Sequence, residues 1–330
     1  MAQGGNSTVM VFILNYGQLQ LTSDCIESLL KSDFRDFDVV VLDNGSREDA
    51  CDVLRTRFPN ITVFRSEENL GCAGGRNFGI RHFLENGDSK YLMFLDNDTV
   101  VDGNAIGELV RLIERDAHIG VVSACLCYHE RPDTIHMGGG GFITWWKGAF
   151  YGLRQGEKRG GEEPERDVDF VPGALILARR EAVQQAGLFD ERYFIYLEDP
   201  DWCFRVKRAG FRLMATSRTR VLHRVSQSVG METPLFYYYR TRNRLLFMKK
   251  NARLADRARF LFYFPYELAA KTIPTLVLNR MWRQLRGVFA GILDHWAGRY
   301  GRKGDLVPEL GRRGRRLSSE PREANPPQRP

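Results

Sequence analysis

The sequence has no uninterrupted apolar run of the length that crosses a bilayer. A spanning helix needs about 20 mainly apolar residues, and the nearest stretch, Leu261–Leu278, is broken by Glu267, Lys271 and two prolines. The start, MAQGGNST, has neither the charged segment nor the apolar core of a secretory signal. We therefore expect no spanning helix, no secretory signal and a cytoplasmic location.

Cysteine is sparse, and its spacing excludes the common metal and redox motifs. The six cysteines lack zinc-ligand spacing, and Cys125-x-Cys127 is not a thioredoxin-like motif. We expect reduced, buried thiols, as is usual for a cytosolic protein.

Charge is unevenly distributed along the chain. The net charge is +7, but from Arg240 onward 21 Lys/Arg face 7 Asp/Glu, a net of +14, so the preceding residues carry about −7. A basic C-terminal region favours contact with an anionic partner. No aromatic residue follows Tyr300, so we expect a membrane surface and no nucleic acid.

Short apolar runs alternate with helical patterns in the first half. This alternation predicts an α/β fold with a mainly parallel sheet and helices on both faces, where ligands bind at the carboxyl ends of the strands. Asn15, Asp43 and Asp96 each follow an apolar run, so they are candidate binding residues. The predicted strands are Val9–Leu14, Val39–Leu42, Ile61–Phe64, Tyr91–Leu95 and Ile119–Ser123; the predicted helices are Leu21–Leu30, Arg47–Arg57, Arg76–Glu85 and Asn104–Arg115.

The later segments are less periodic. Ala124–Asp169 is glycine-rich and predicts an insertion with a β-hairpin and a mobile loop. The pattern then predicts a strand over Phe170–Arg179, a helix near Glu181–Ala186, strands near Phe211–Ala215 and Arg220–Leu222, and basic helices beyond Thr233. From Gly311 the basic, proline-rich composition predicts disorder.

Two acidic clusters carry the strongest chemical signal. In FLDNDTV, Asp96 and Asp98 end an apolar strand, where crowded carboxylates usually need a cation or a proton. Oxygen ligands favour Mg²⁺ or Mn²⁺ over zinc. His223 follows the strand-like run ending at Leu222 and can add a nitrogen ligand, although a lone histidine is more often structural.

The second cluster, YLEDPDWCFR, holds Glu198, Asp199 and Asp201 at the start of a predicted helix. One interpretation is capping, with Asp199 as the N-cap, Pro200 at the first helical position and an i,i+4 pair between Asp201 and Arg205. Capping accounts for one carboxylate. The second interpretation is a general base, because crowding of the three carboxylates raises the pKa of one of them towards the range that a base needs.

Two turn motifs are weaker. Asp43, in VVVLDNGSRED, can bind a base or ribose, or the Asp, Asn and Ser can simply cap a helix. Asn69–Gly79, NLGCAGGRNFG, predicts a glycine-rich loop that opens a helix at about Arg76 and suits a phosphate through its backbone N–H groups, with Gly75, Arg76 and Asn77 as candidate contacts. It is not a Walker loop, and a glycine-rich turn with no ligand is the alternative.

Taken in order, these pieces resemble family 2 of the glycosyltransferases, especially rhamnosyltransferase-like members, from about Val9 to Lys250. The motifs are VLDNGS, NLGCAGGRNFG, FLDNDT, VDFVPGALILARR, GLFDERYFIYLEDPDWCFRVKRAGF, VLHRVSQS and YYYRTRNRLLF. The resemblance implies a GT-A fold and an inverting, metal-dependent transfer of a sugar, with rhamnose the leading expectation, from a nucleotide diphosphate donor. The acceptor would be a glycan or lipid-linked hydroxyl in cell-surface polysaccharide synthesis.

Site roles follow from the resemblance. Asp43 would hold the base or ribose, with Asn15 beside it, and Asp96, Asp98 and His223 would hold Mg²⁺ or Mn²⁺ on the diphosphate. Asp199 would be the base, with Glu198 and Asp201 positioning the acceptor or a loop. Trp145, Trp146 and Gly173 are the expected acceptor contacts. Arg76 stands where many relatives have Asn.

The expected organisation is a catalytic domain over residues 1–232, a helical region over 233–310 that binds membrane or forms a homo-oligomer, and a disordered tail over 311–330. Two other enzyme classes remain open at this point. A haloacid-dehalogenase-type phosphatase also has a strand followed by Asp-x-Asp, but it would leave Glu198–Asp201 unexplained. A sugar-nucleotide nucleotidyltransferase shares the sheet but has its glycine signature beside the first strand, where FILNYGQLQL has none.

Overall fold

A computed structural model describes residues 7–47, 50–161, 163–225 and 232–304. The tail predicted from Gly311 lies outside these residues.

The first half alternates strands and helices, as the apolar runs predict. Strand β1 pairs in parallel with β2 and β4, and β2 pairs in parallel with β3. Both faces of β1 are buried, Val11 on one side and Phe12 on the other, because helices cover both faces of the sheet. The elements are β1 (Val9–Asn15), α1 (Leu19–Leu30), β2 (Phe37–Asn44), α2 (Cys51–Arg57), β3 (Thr62–Ser66), α3 (Gly71–Glu85) and β4 (Tyr91–Asp96).

The sheet becomes mixed in its second half. Its strand order is β10-β12-β6-β11-β4-β1-β2-β3, and β11 runs antiparallel to both of its neighbours. The elements are β5 (Thr99–Val101), α4 (Ala105–Glu114), β6 (Ile119–Tyr128), β7 (Arg131–Gly138), β8 (Gly141–Thr144), β9 (Ala149–Gly152), β10 (Arg166–Asp167), β11 (Leu175–Arg179), α5 (Arg180–Ala186), α6 (Glu198–Arg208) and β12 (Arg212–His223).

Three predictions of local secondary structure can be compared with the structure. The predicted β-hairpin is confirmed, because β8 pairs with β9. The predicted strand from Phe170 is too long, because Pro172 and Gly173 lie in the loop that precedes Leu175. The two strands predicted near Phe211 and Arg220 are one strand, β12, with an irregularity in its pairing between Thr216 and Arg220.

The C-terminal region is helical, as predicted. It comprises α7 (Pro234–Asn251), α8 (Leu254–Glu267), a π-helical turn (Leu268–Thr272), α9 (Ile273–Leu278) and α10 (Trp282–Trp296). Helix α10 approaches α7 closely through Gly287 and Gly291, where an added Cβ would lie 2.3 Å from the Pro234 oxygen and 2.6 Å from the Tyr238 oxygen. Across the described ranges, no helix combines the length and the apolar character that crossing a membrane requires.

Candidate functional site

The carboxyl ends of β1, β2 and β4 bring polar residues to one edge of the sheet, as the strand pattern predicts. Asn15 lies opposite Asp43, and Leu14 lies opposite Asp96. Asn15 Nδ2 donates to Asp43 Oδ1 at 2.8 Å, and the Ser46 hydroxyl donates to the same oxygen. Asp43 Oδ2 is buried and accepts no hydrogen bond within the described residues, and its nearest cation is Arg65, whose Nε atom lies 3.9 Å away. Because an unsatisfied buried acceptor is costly, this oxygen is suited to a ligand's hydroxyl or N–H group.

Asp98 and His223 meet because β12 pairs with β5, with His223 opposite Thr99. His223 Nε2 lies 3.2 Å from Asp98 Oδ1. Ligand atoms of Asp96, Asp98 and His223 all lie within 4.8 Å of one another, which is close enough for one cation to bind all three. Asp98 Oδ1 is buried without a well-formed hydrogen bond. Two carboxylates and one imidazole suit Mn²⁺ or Mg²⁺.

A second histidine, which the sequence did not indicate, supports this cluster. His136 on β7 places its Nδ1 atom 3.4 Å from Nδ1 of His223. Burial would lower the pKa of His223, but its contact with Asp98 and the charge of Asp96 raise it. By holding the far side of the His223 ring, His136 orients Nε2 towards the carboxylates.

Arg76 joins the two acidic clusters. Its guanidinium donates to Glu198 Oε1 at 2.7 Å, to Asp96 Oδ1 at 3.0 Å and to the Gly173 oxygen at 3.0 Å. Burial would lower the pKa of Arg76, but Asp96 and Glu198 raise it. The residue is 5% exposed. Its donors therefore serve protein carboxylates, and the predicted phosphate contact through Arg76 is wrong.

The predicted glycine-rich loop is also wrong, because α3 begins at Gly71 rather than at Arg76. Gly75 lies inside the helix against β1, where an added Cβ would be 2.4 Å from Leu14 Cδ1. Asn77 is buried; its amide donates to the Phe189 oxygen and to Glu191 and accepts from Phe189 N. Neither Gly75 nor Asn77 is thus available to a nucleotide, and the glycines let the helix approach the sheet.

The capping interpretation of Asp199 is wrong as well. Helix α6 begins at Glu198, with Leu197 as its N-cap, so Pro200 is not the first helical residue. Asp199 Oδ2 accepts from Gly173 N at 2.8 Å, and the residue is only partly buried. Burial raises the pKa of Asp199, while Arg76 and the Gly173 N–H oppose the change.

Glu198 is buried, and its Oε2 has no partner among the described residues. Burial and the Asp199 carboxylate raise the pKa of Glu198 to about 8, despite the attraction of Arg76. A carboxylic acid with its pKa near neutrality beside a partly exposed carboxylate is an arrangement suited to proton transfer.

The loop before α6 is held in an unusual backbone conformation. Phe194, Tyr196 and Leu197 have φ of 63°, 67° and 69°, in the left-handed region that non-glycine residues avoid. Asn243 on α7 donates to the backbone oxygens of Tyr193, Ile195 and Tyr196 at 3.0, 2.7 and 2.8 Å. The motif YYYRTRNRLLF therefore has a structural role that the sequence did not reveal: α7 holds the acidic cluster in place.

Asp201 helps to hold the same loop and helix in place. It was predicted to belong to the catalytic group, but its surroundings exclude a catalytic role. It is fully buried, and its oxygens accept from Tyr193, Arg205, Lys250 and Asn251 at 2.8–3.2 Å. No oxygen is left for a substrate. The predicted pair with Arg205 is confirmed.

The three residues expected to contact the acceptor have different surroundings in the structure. Gly173 lies in the site: its N–H donates to Asp199, and its carbonyl oxygen accepts from Arg76. The Trp145 ring packs on Phe204 and Phe247 at 5.0 and 5.6 Å, which is a structural role. Trp146 is 41% exposed and remains a candidate contact. The six cysteines are free thiols, five of them buried, as predicted.

Comparison with known proteins gives three findings. Residues 6–245 match the sequence model of a family described as "Glycosyltransferase like family 2". The chain is 25% identical over 225 residues to an N-acetylglucosaminyl-diphospho-decaprenol L-rhamnosyltransferase of Mycobacterium tuberculosis, covering 63% of this chain and 73% of that protein. It is 24% identical over 264 residues to the dTDP-rhamnosyl transferase RfbF of Shigella flexneri, covering 74% of this chain and 81% of that protein.

Among solved structures, the chain is similar to the mannosyltransferase PcManGT of Pyrobaculum calidifontis in complex with GDP-Man and Mn²⁺. The TM-score is 0.56 and the identity 14%, over 88% of each chain. This likeness confirms the predicted GT-A fold class.

Proposed function

The chain belongs to glycosyltransferase-like family 2, as its sequence motifs predicted, and from this premise we propose that it is an inverting, metal-dependent transferase. The donor is a nucleotide diphosphate sugar, and the acceptor is a hydroxyl of a lipid-linked glycan in cell-surface polysaccharide synthesis. The names of two relatives, both rhamnosyltransferases, favour rhamnose as the sugar.

One observation carries the proposal: Arg76 contacts both Asp96 and Glu198. The candidate metal ligands and the candidate base cluster therefore face a common space. Asn15 and Asp43 lie at the same sheet edge, one and two strands beyond Asp96 respectively. A nucleoside held at Asp43 would place its diphosphate towards Asp96 and Asp98.

The residues present fit a divalent metal. Asp96, Asp98 and His223 would hold it, since their ligand atoms cluster and the buried Asp98 Oδ1 has only the His223 ring nitrogen, at 3.2 Å, beside it. The GDP-Man and Mn²⁺ in the related structure support this choice. A bound divalent cation supplies charge stabilisation to the diphosphate leaving group.

Asp199 is the proposed general base. Gly173 N–H fixes one of its oxygens, and its partial exposure leaves it accessible to an acceptor hydroxyl. Arg76 holds Glu198 in place beside it, and we assign Glu198 to positioning the acceptor. A single displacement needs one protein base opposite the leaving group, which implies inversion at the sugar carbon, whereas a glycosidase pairs two carboxylates across the bond.

The C-terminal helices are proposed to contact the cytoplasmic face of a membrane. Exposed apolar side chains on α8 and α9 include Phe262 and Leu278, at 83% and 82% exposure. On α10, Trp282, Phe289, Leu293 and Trp296 are 46–71% exposed, and their spacing places them on one helix face. Exposed Arg253, Arg257, Arg259, Arg280, Arg283 and Arg286 accompany this surface and suit anionic headgroups.

Not every aromatic and basic side chain of this helical region is available to a membrane. Phe260 and Phe264 are buried in the core, at 1% and 8% exposure. Lys250 is engaged with Asp190 and Asp201, each at 2.8 Å. These three residues are therefore excluded from the proposed contact.

Vesicle co-sedimentation tests the membrane contact. We expect the full chain to bind anionic vesicles at low salt, and Phe262→Ser with Trp296→Ser to weaken binding. Leu30→Ser, an exposed leucine on α1, is the matched control. If the chain ignores anionic vesicles, the membrane proposal fails, and self-association that the double variant abolishes would assign this surface to a homo-oligomer.

The catalytic proposal is tested with a panel of sugar nucleotides, with and without Mn²⁺, that includes dTDP-rhamnose. We expect release of the nucleoside diphosphate from one donor, dependent on the metal, and an inverted anomeric configuration in the product. Phosphate release from simple esters without any sugar nucleotide would instead favour a phosphatase.

A further inference from the structure

A cavity of 170 Å³ lies between α7, α8, α10 and the π-helical turn, outside the residues assigned above. Phe236, Phe264 and Val288 supply apolar walls, and Arg240, Arg244 and Glu267 supply the charge. Leu268 and Thr272 of the π-helical turn also line it; such turns are rare and occur frequently at functional sites.

The charges of the cavity are unbalanced. Arg244 donates to Glu267 at 2.6 Å, to the Gly148 oxygen at 3.0 Å and to the Lys147 oxygen. Arg240 makes no hydrogen bond or ion pair with any residue in the described ranges, and its guanidinium lies 5.1 Å from the centre of the Phe236 ring. Arg240 is exposed at the rim of the cavity, beside the Arg244–Glu267 ion pair, which is neutral as a unit. The cavity therefore carries one uncompensated positive charge.

The cavity adjoins the loop that carries the proposed base. The Phe236 ring packs edge-on against the Tyr196 ring at 5.4 Å. Tyr196 lies two residues before Glu198, and Asn243 fixes its backbone from the same helix that carries Arg240. One face of α7 thus holds the acidic cluster, and another lines the cavity.

We propose that this cavity binds a phosphate group of the acceptor, through Arg240, and that the acceptor is a phosphorylated lipid carrying the sugar whose hydroxyl reaches Asp199. The inference rests on the transferase function proposed above. A guanidinium binds phosphate oxygens in a bidentate manner. The volume equals that of roughly six water molecules at about 30 Å³ each, enough for a phosphate but well below the roughly 300 Å³ of a site for a whole small ligand.

The surroundings favour a lipid as the source of the phosphate. Phe262 and Tyr266, 83% and 63% exposed, lie on α8, the helix that also supplies cavity residues Phe264 and Glu267. A lipid tail leaving the cavity would meet this apolar surface, whereas a free phosphate would gain nothing from it.

Calorimetry on the full chain tests the site, with geranyl diphosphate and inorganic diphosphate as probes and EDTA present so that no metal at Asp96 and Asp98 can bind either. We expect geranyl diphosphate to bind more tightly than inorganic diphosphate. Arg240→Gln should weaken geranyl diphosphate binding by about tenfold or more. Arg257→Gln, an exposed arginine on α8, is the matched control and should leave binding unchanged.

Equal affinity of Arg240→Gln and the unaltered chain would overturn the site, as would equal losses in both variants. If inorganic diphosphate binds as tightly as geranyl diphosphate and Arg240→Gln weakens both, the phosphate site stands and the lipid source is wrong. Metal-dependent binding of a nucleoside diphosphate, measured separately, should be unchanged in Arg240→Gln. Its absence from the unaltered chain would contradict the proposed function without bearing on the cavity.

Discussion

Replacing Asn243 with alanine should displace the acidic cluster of Glu198 and Asp199, although Asn243 hydrogen-bonds to neither carboxylate. The Asn243 amide donates to the backbone oxygens of Tyr193, Ile195 and Tyr196 at 2.7–3.0 Å, so its two N–H groups serve three acceptors. At about 1 kcal/mol net for each of the two N–H groups, plus about 1–2 kcal/mol for oxygens left without a donor, the loss is about 3–4 kcal/mol. We expect the melting temperature to fall by about 4–8 °C.

The effect on catalysis should exceed the effect on stability. Phe194, Tyr196 and Leu197 hold left-handed backbone conformations that cost about 1–3 kcal/mol each and persist only under constraint. Once Asn243 is removed, the loop relaxes and Glu198 and Asp199 shift. We expect sugar transfer to fall by about 10², the scale of a misplaced or lost catalytic base.

The assay separates a displaced cluster from general unfolding. Metal-dependent binding of the nucleoside diphosphate to the folded Asn243→Ala protein should stay normal, because Asp43 and Asp98 do not contact the loop. Asn279→Ala, which removes one exposed hydrogen bond to the Thr275 oxygen, is the control and should change neither property. Normal transfer by Asn243→Ala would refute the claim that this loop positions the base.

Three further substitutions test individual assignments. Asp199→Asn keeps an oxygen for Gly173 N–H, so stability should change by no more than about 1 kcal/mol while transfer falls by about 10² or more; near-normal turnover would exclude Asp199 as the base. The pKa of Glu198 is raised from 4.5 to about 8. Between these two pH values, the folded protein therefore keeps a proton on Glu198 that the unfolded chain has released. The free energy of unfolding, measured by urea titration without metal, should therefore fall as pH rises through this window, and it should fall less in Glu198→Gln. If the free energy of unfolding falls equally steeply with pH in both proteins, the raised pKa of Glu198 is contradicted. Gly79→Ala places a Cβ 2.7 Å from the Phe12 ring and should cost about 1–3 kcal/mol; unchanged stability would contradict close packing of α3 on β1.

The strands of the sheet could be predicted because buried strands are continuous apolar segments. The run Val39–Leu42 marks β2, observed over Phe37–Asn44, and the following Asp43 falls at the sheet edge. The meeting of Asp43, Asn15 and Asp96 at that edge then follows from the parallel pairing. The motif FLDNDTV indicated Asp96 and Asp98 as cation ligands, whereas the assignment of His223 to the same site came from the family resemblance, because Asp98 and His223 are distant in sequence.

The errors arose where tertiary contacts decide the role of a residue. Glycines in NLGCAGGRNFG fit either a phosphate-binding loop or a helix packed closely on a strand, and only Leu14 and Phe12 across the interface decide between them. Asp201 resembles a catalytic carboxylate until Lys250 and Asn251, some 50 residues later, occupy its oxygens.

His136 and Asn243 were missed for a related reason. His136 meets His223 across 87 residues, and no local spacing marks the pair. Asn243 stands in a basic helical stretch where an amide looks solvent-exposed, yet it is fully buried. A polar residue flanked by Arg242 and the apolar run LeuLeuPhe at 245–247 was the signal available.

The most direct test of the central claim is a calorimetric titration of nucleoside diphosphate into the full chain, with and without Mn²⁺, compared with Asp98→Ala. We expect binding that depends on Mn²⁺ in the unaltered chain and its loss in Asp98→Ala, with the fold of the variant intact by circular dichroism. Metal-dependent binding that persists in Asp98→Ala would contradict the assignment of Asp96, Asp98 and His223 as the metal site.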